Sequence, residues 1–122
     1  MNPTQRFCLT LELREDPDLV SEYLYWHKME NIWPEIPAGI KAAGIENMEI
    51  YRLDNRLFMI IEAGPGFDFA RDMERLSSMP RQEEWEAFVS RFQKSLPGEN
   101  PAEKWKLMDK IYCLSVPCDA NQ

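Results

Sequence analysis

This sequence of 122 residues lacks long apolar runs. No stretch approaches the roughly 20 apolar residues that a membrane-spanning helix needs. Residues 1–6 also lack the pattern of a secretory signal. We therefore expect a cytoplasmic protein that does not use a membrane as a partner.

Histidine and cysteine are scarce as well. The chain has one histidine and three cysteines, and Cys8, Cys113 and Cys118 are an odd number at wide spacings. Such a pattern indicates neither a disulfide framework nor a zinc site, and it suits a reducing compartment. Residues 64–66, Gly-Pro-Gly, have neither the length nor the lysine of a phosphate-binding loop. We expect no bound metal.

Basic residues are outnumbered, with 14 lysines and arginines against 21 acidic residues, a net charge of −7. This balance disfavours nucleic acid or an anionic membrane surface as the main partner. A neutral small molecule is compatible with it. The hydrophobic fraction of 44% is enough for a packed core. We expect one domain over residues 1–122, with its core at about 6–114 and a tail at 115–122.

The periodicity of apolar residues predicts a mixed α+β chain. The first half of the chain is predicted to form a strand over 6–13, a helix over 17–29 with Asp16 as N-cap, and a helical segment over 32–43. Pro34 and Pro37 lie near the start of that segment, and Gly44 ends it. The predicted elements that follow are strands over 45–53 and 56–62 joined by Asp54 and Asn55, helices over 67–76 and 81–95, and a strand over 105–114. This order is that of the ferredoxin-like split βαβ fold with an antiparallel sheet.

The third strand, over 56–62, is apolar on both faces, which predicts a central position in the sheet. Helices on one side leave the other face of a four-stranded sheet uncovered. A second copy of the chain would cover it, so we expect a homodimer.

The stretch around the single histidine, His27, is the most informative part of the chain. In a helix, Tyr23 and His27 lie on one face because they are four residues apart. Histidine can both give and take a proton near neutral pH. On spacing alone, a core histidine bonded to a backbone carbonyl is favoured over a catalytic one, and both interpretations stay open.

Five short motifs, taken in order, are similar to those of the L-rhamnose mutarotase family. They are Tyr23-x-x-x-His27, Ile32-Trp33-Pro34-Glu35, Asn47-Met-Glu-Ile-Tyr51, Leu57-Phe-Met-Ile-Ile-Glu62 and Glu84-Trp85. The resemblance runs from about Phe7 to Leu114. It implies a dimeric α+β barrel of ferredoxin-like subunits that interconverts sugar anomers without metal or organic cofactor.

The resemblance also assigns roles to residues. It implies that His27 is the proton donor, that Tyr23 contacts substrate, and that Trp85 is the second of two tryptophans packed against the sugar. Met48 stands where the rhamnose enzymes have a sugar-contacting tyrosine, and Glu84 replaces the first tryptophan. The segment between His27 and the next tryptophan is also two residues longer. These departures favour a branch acting on L-fucose rather than L-rhamnose.

Further substrate contacts follow from the chemistry of a sugar. Trp33 and Trp85 could stack on the apolar face of a pyranose, while Glu84 or Glu62 accepts hydrogen bonds from its hydroxyls. Each has a structural alternative. Trp33 fits a core position at a helix junction, Trp85 belongs to an ordinary apolar helix stripe, and Glu62 fits a solvated strand edge.

Two other functions remain open on the sequence alone. The same barrel architecture hosts cofactor-free oxygenases and cyclases that act on aromatic substrates, and fold analogy does not exclude them. A non-catalytic, small-molecule-binding dimer with a structural His27 is the other alternative.

Overall fold

The computed structural model describes residues 4–94 and 104–115. Its elements are β1 (Gln5–Glu12), α1 (Pro17–Trp26), α2 (Glu35–Ala42), β2 (Ile45–Leu53), β3 (Arg56–Ala63), α3 (Phe69–Ser77), α4 (Gln82–Val89) and β4 (Lys106–Leu107). The strands form one antiparallel sheet in the order β2-β3-β1-β4. The predicted ferredoxin-like α+β fold is confirmed, and β3 is central as expected.

The two central strands are built from alternating residues. β1 pairs with β3 in unbroken register from Gln5↔Ala63 to Glu12↔Arg56. The helix-facing residues are buried: Phe7, Leu9, Leu11, Leu57, Met59, Ile61 and Ala63. Burying apolar surface stabilises a fold by about 25 cal/mol per Å². In this sheet, that stabilisation comes from one face. The four helices supply the other side of this core.

The first helix is shorter than predicted. Asp16 caps it as expected, since its Oδ1 accepts from the N–H groups of Asp18 at 3.0 Å and Leu19 at 3.4 Å. The helix ends at Trp26 rather than residue 29. His27 is the C-cap, with φ −96° and ψ 0°, and its N–H bonds the carbonyl of Leu24 at 3.2 Å. The histidine thus lies at the C-terminal end of the helix.

The other helix boundaries also differ from the prediction, mostly by moving inward. Pro34 is the N-cap of α2, and Gly44, just past its end, has φ +102°, a conformation that glycine adopts without strain. The predicted helices over 67–76 and 81–95 become α3 and α4, which begin after Asp68 and Arg81. Residues 95 and 116–122 of the predicted elements lie outside the described residues.

The predicted last strand, over 105–114, is wrong in extent. Only Lys106 and Leu107 pair with β1. The N–H of Met108 still reaches the carbonyl of Cys8 at 2.8 Å, but beyond it the chain leaves the sheet edge. Ile111 and Tyr112 are 94% and 74% exposed. Alternation of side chains predicts a strand only where a neighbouring strand is available, and this stretch has none among residues 4–94 and 104–115.

Two further observations bear on the sequence expectations. Cys8 is a free thiol, whereas Cys113 is disulfide-bonded. The sequence indicated no disulfide framework and did not predict the bond at Cys113, because spacing does not reveal which thiols the fold brings together. Within residues 4–94 and 104–115, no helix is long and apolar enough to cross a membrane.

Candidate active site

A cavity of about 610 Å³ lies between the helix-facing side of the sheet and the helices. Its floor includes Leu9, Leu57 and Met59 from the strands, and Tyr23 and His27 reach it from α1. The wall is mainly apolar, with a few polar groups placed among the apolar ones. This composition is typical of a small-molecule site.

His27 is held in one orientation and one tautomer. Its Nδ1 lies 2.8 Å from the carbonyl oxygen of Tyr23. A carbonyl only accepts, so Nδ1 donates and the neutral ring keeps its lone pair on Nε2. Burial lowers the pKa of His27, and the hydrogen bond to Tyr23 opposes this to a smaller extent. At neutral pH the site therefore offers an unprotonated Nε2 that can accept a proton.

Tyr23 is packed directly against the histidine. The two rings are stacked, with centroids 4.1 Å apart and planes 25° apart. Burial raises the pKa of Tyr23, and a side-chain hydrogen bond with Gln93 opposes this to a smaller extent. The phenol stays protonated at neutral pH. A hydrogen-bond donor and a proton acceptor thus stand side by side in the cavity wall.

Trp85 lines the cavity, as does Trp105. It is buried, and its ring centroid lies 5.3 Å from that of His27 at an angle of 60°. Trp33 packs edge-on against Trp85, with 5.1 Å between the ring centroids. The guanidinium carbon of Arg81 lies 4.1 Å from the centroid of the Trp33 ring. Trp33 does not line the cavity. It supports Trp85, so its packing agrees with the core alternative.

The cavity also includes Met48, which faces the helices from β2 directly opposite the buried Ile61. The two carboxylates expected near the sugar lie elsewhere. Glu84 is largely exposed, 3.7 Å from the Nε of Arg81. It sits on the side of α4 that the cavity does not reach.

Glu62 is on the opposite face of the sheet. It lies between the buried residues Ile61 and Ala63 of β3, and strand alternation turns its side chain away from them. It pairs there with Arg6 at 3.0 Å and Asn47 at 3.3 Å. The structure therefore brings together Tyr23, His27, Met48 and Trp85, and it does not bring Trp33, Glu62 or Glu84 into the cavity wall.

Several polar residues of the wall were missed by the sequence reasoning, among them Gln82, Glu86 and Gln93. Gln82 and Gln93 are only 7% and 4% exposed. Helical spacing could have found two of them. If Trp85 faces inward, Gln82 is one turn before it, and Glu86 lies one turn after Gln82. The emphasis on the motif Glu84-Trp85 obscured this signal.

The chain is similar in sequence to known proteins. The family model for L-rhamnose mutarotase matches residues 6–114. An L-fucose mutarotase from Xanthomonas campestris pv. campestris is 40% identical over 118 residues, which cover 97% of this chain and 94% of that protein.

Two solved structures have a similar fold. The crystal structure of an L-rhamnose mutarotase from Formosa agariphila matches with a TM-score of 0.65 and 16% identity, covering 91% of this chain and 99% of that one. Tetracenomycin F2 cyclase from Streptomyces glaucescens, a type-II polyketide cyclase, matches with a TM-score of 0.57 and 17% identity, covering 93% and 99%. At these identities the likeness concerns the fold alone.

Proposed function

The chain belongs to the L-rhamnose mutarotase family and is a carbohydrate mutarotase, and we propose that it interconverts the anomers of a 6-deoxy-L-hexose, L-fucose in preference to L-rhamnose. The observation that carries the proposal is the stacked Tyr23–His27 pair in the cavity wall. The preference for L-fucose is supported by the 40% identity to an L-fucose mutarotase. It is also supported by Met48, which lines the cavity and departs from the rhamnose pattern.

In the proposed reaction, His27 moves the proton. Its Nε2 accepts the proton of the anomeric hydroxyl while the C1–O1 bond becomes a carbonyl and the bond from C1 to the ring oxygen breaks. The same nitrogen then delivers the proton to the ring oxygen. One nitrogen can reach both oxygens because both are bonded to C1 in the closed sugar. Rotation about C1–C2 and the reverse steps give the other anomer. No external acid, base or oxidant is consumed.

The remaining cavity residues position the sugar. The Tyr23 hydroxyl, protonated at neutral pH, donates a hydrogen bond to a sugar oxygen. Trp85 stacks on the apolar face of the pyranose, and Met48 supplies an apolar contact. Trp33, Glu62 and Glu84 have no direct part in the proposal, since they lie outside the cavity wall. We keep the cytoplasm as the proposed location.

The mainly apolar wall is what a cyclase acting on aromatic substrates would also have, and the fold likeness to a polyketide cyclase is real. The match to that structure is only 17% identical. The family match and the L-fucose mutarotase relative each cover almost the whole chain. We therefore favour the mutarotase reaction on a sugar.

Saturation-transfer NMR on the anomeric protons tests the substrate. We expect catalysed exchange to be faster with L-fucose than with L-rhamnose, and slower still with common D-hexoses. The matched control is each sugar in buffer, since mutarotation also proceeds without enzyme. The reverse ranking would remove the preference for L-fucose and leave the mutarotase activity. Equal inactivity of a folded protein on the whole panel would contradict the proposed function.

The proposed enzyme is a homodimer. The helices cover one face of the sheet, while the other face carries half-buried apolar side chains, Phe58 and Ile60, at its centre and the 55%-exposed Tyr51 near its edge. Joining two such faces would bury them and close a barrel.

We expect light scattering at micromolar concentration to give twice the chain mass. Ile60→Glu should give the monomer mass, because it places a charge at the centre of the buried interface. The control Glu83→Arg, on the exposed side of α4, should stay dimeric. A monomeric wild-type protein would contradict the barrel.

A further inference from the structure

Gln82 is a buried amide in the cavity wall that the proposed reaction does not use. It opens α4, is 7% exposed and lines the cavity with Trp85. Its Nε2 donates to Oε2 of Glu86 at 2.9 Å. Its Oε1 is buried and has no hydrogen-bond partner among residues 4–94 and 104–115.

The hydrogen bond to Glu86 fixes which way the amide points. A carboxylate only accepts, so only the NH₂ group of Gln82 can face it. The carbonyl oxygen is thereby held away from Glu86. Because most buried acceptors are paired, an acceptor left without a donor indicates a group supplied from outside the chain. A hydroxyl in the cavity is a donor of the right kind.

We infer that Gln82, oriented by Glu86, accepts a hydrogen bond from one hydroxyl of the bound sugar and so helps to determine which sugars bind. The inference rests on the proposed function and deepens it. It gives the cavity a polar contact to sugar from α4. The exposed Glu84 is on the same helix but points away from the cavity. Glu86 is a positioning residue for this contact.

A site built around such an acceptor should reject sugars that lack the matching hydroxyl. Removing the donor leaves the buried oxygen of Gln82 unpaired, and discrimination against the analogue is then larger than for a lost apolar contact. The penalty should vanish when the acceptor itself is removed. This dependence of one change on the other distinguishes a direct contact from a general loss of stability.

The test uses the sugar that the wild type exchanges fastest, its 2-, 3- and 4-deoxy derivatives, and the variant Gln82→Met, which removes the amide at similar volume. KM and kcat come from anomer exchange, and sugar affinity from quenching of tryptophan fluorescence. In the wild type, one deoxy derivative should bind about tenfold more weakly than the parent. Gln82→Met should raise KM for the parent about tenfold with little change in kcat, and it should treat that derivative and the parent alike.

Controls separate the possible failures. Glu83→Gln neutralises a carboxylate on the exposed side of the same helix and should behave as wild type. If Gln82→Met does not fold, Gln82→Leu replaces it. The binding of the three deoxy sugars to the wild type tests the inference in either case. Equal binding of all three derivatives and the parent, or an unchanged KM in a folded variant, would overturn the inference and leave the mutarotase activity. A wild type inactive on every sugar would overturn the proposed function, and the inference with it.

Discussion

His27→Asn should lower the catalysed exchange of L-fucose anomers by about 10²–10⁴-fold, the range that acid–base assistance supplies. Asparagine can still donate from its side-chain amide to the Tyr23 carbonyl, as Nδ1 of His27 does at 2.8 Å. It has no group that titrates near neutral pH. The substitution therefore keeps the local hydrogen bond and removes the proton acceptor. Polarimetry of fresh α-L-fucose measures the rate.

Two companion measurements make this result specific. Tyr23→Phe should lower exchange less, because it removes a hydroxyl that orients the sugar and leaves Nε2 of His27 in place. The melting temperature of His27→Asn should stay near that of wild type. A structural histidine predicts the opposite pattern, a lower melting temperature with exchange per folded molecule nearly unchanged.

Trp85→Ala should lower the free energy of unfolding by about 3–5 kcal/mol, the usual cost of truncating a large buried aromatic residue. Trp85 is 6% exposed and contacts the rings of His27, Trp33 and Phe88. The same change removes the proposed stacking surface for sugar. Urea unfolding followed by circular dichroism measures the loss of stability.

A milder pair of variants isolates the effect on sugar. Trp85→Phe keeps most of the packing and should raise KM about tenfold, since a smaller ring covers less of the pyranose face. Trp26→Phe is the matched control, because Trp26 is a partly buried tryptophan that packs on Phe88 outside the cavity wall. It should leave KM unchanged. Equal KM values for both variants would remove Trp85 from the sugar site.

The sheet was the part of the fold most accessible from sequence. The alternation of Phe7, Leu9 and Leu11 indicates which residues of the first strand face the core, and the apolar third strand indicates its central position. Element ends were less accessible. The helix ends at Trp26 because His27 takes the C-cap conformation, a choice that apolar periodicity does not encode. The last strand was overestimated because pairing depends on a neighbour that sequence alone does not show.

In the site, as in the fold, local spacing was predictable from the sequence and tertiary neighbours were not. The proximity of Tyr23 and His27 was predictable because they share a helix face, and their stacking at 4.1 Å agrees with that spacing. Glu84 lies outside the cavity wall because adjacency in sequence is not adjacency in space, and Glu62 does so because strand alternation turns it to the other face of the sheet. Glu84 is next to Trp85 in the chain but on another side of the helix, while Gln82 and Glu86 share the inward side. Tertiary packing decides which side of α4 is the inner one.

Nitrogen-15 NMR of histidine-labelled protein, without an added histidine tag, tests the central claim most directly. The chain has one histidine, so the ring signals report on His27 alone. We predict the Nδ1–H tautomer at neutral pH, with a pKa below the ordinary 6.5 because burial disfavours the imidazolium. The Nε2 signal should shift when L-fucose is added. Catalysed exchange should be level at neutral pH and fall as the pH drops through this pKa, because protonation blocks Nε2.

A ring that carries its proton on Nε2, or an Nε2 signal that does not respond to saturating L-fucose, would contradict this account. So would catalysed exchange that rises as the pH drops through the pKa of His27. The predicted result is a neutral ring with a free Nε2 that meets the sugar.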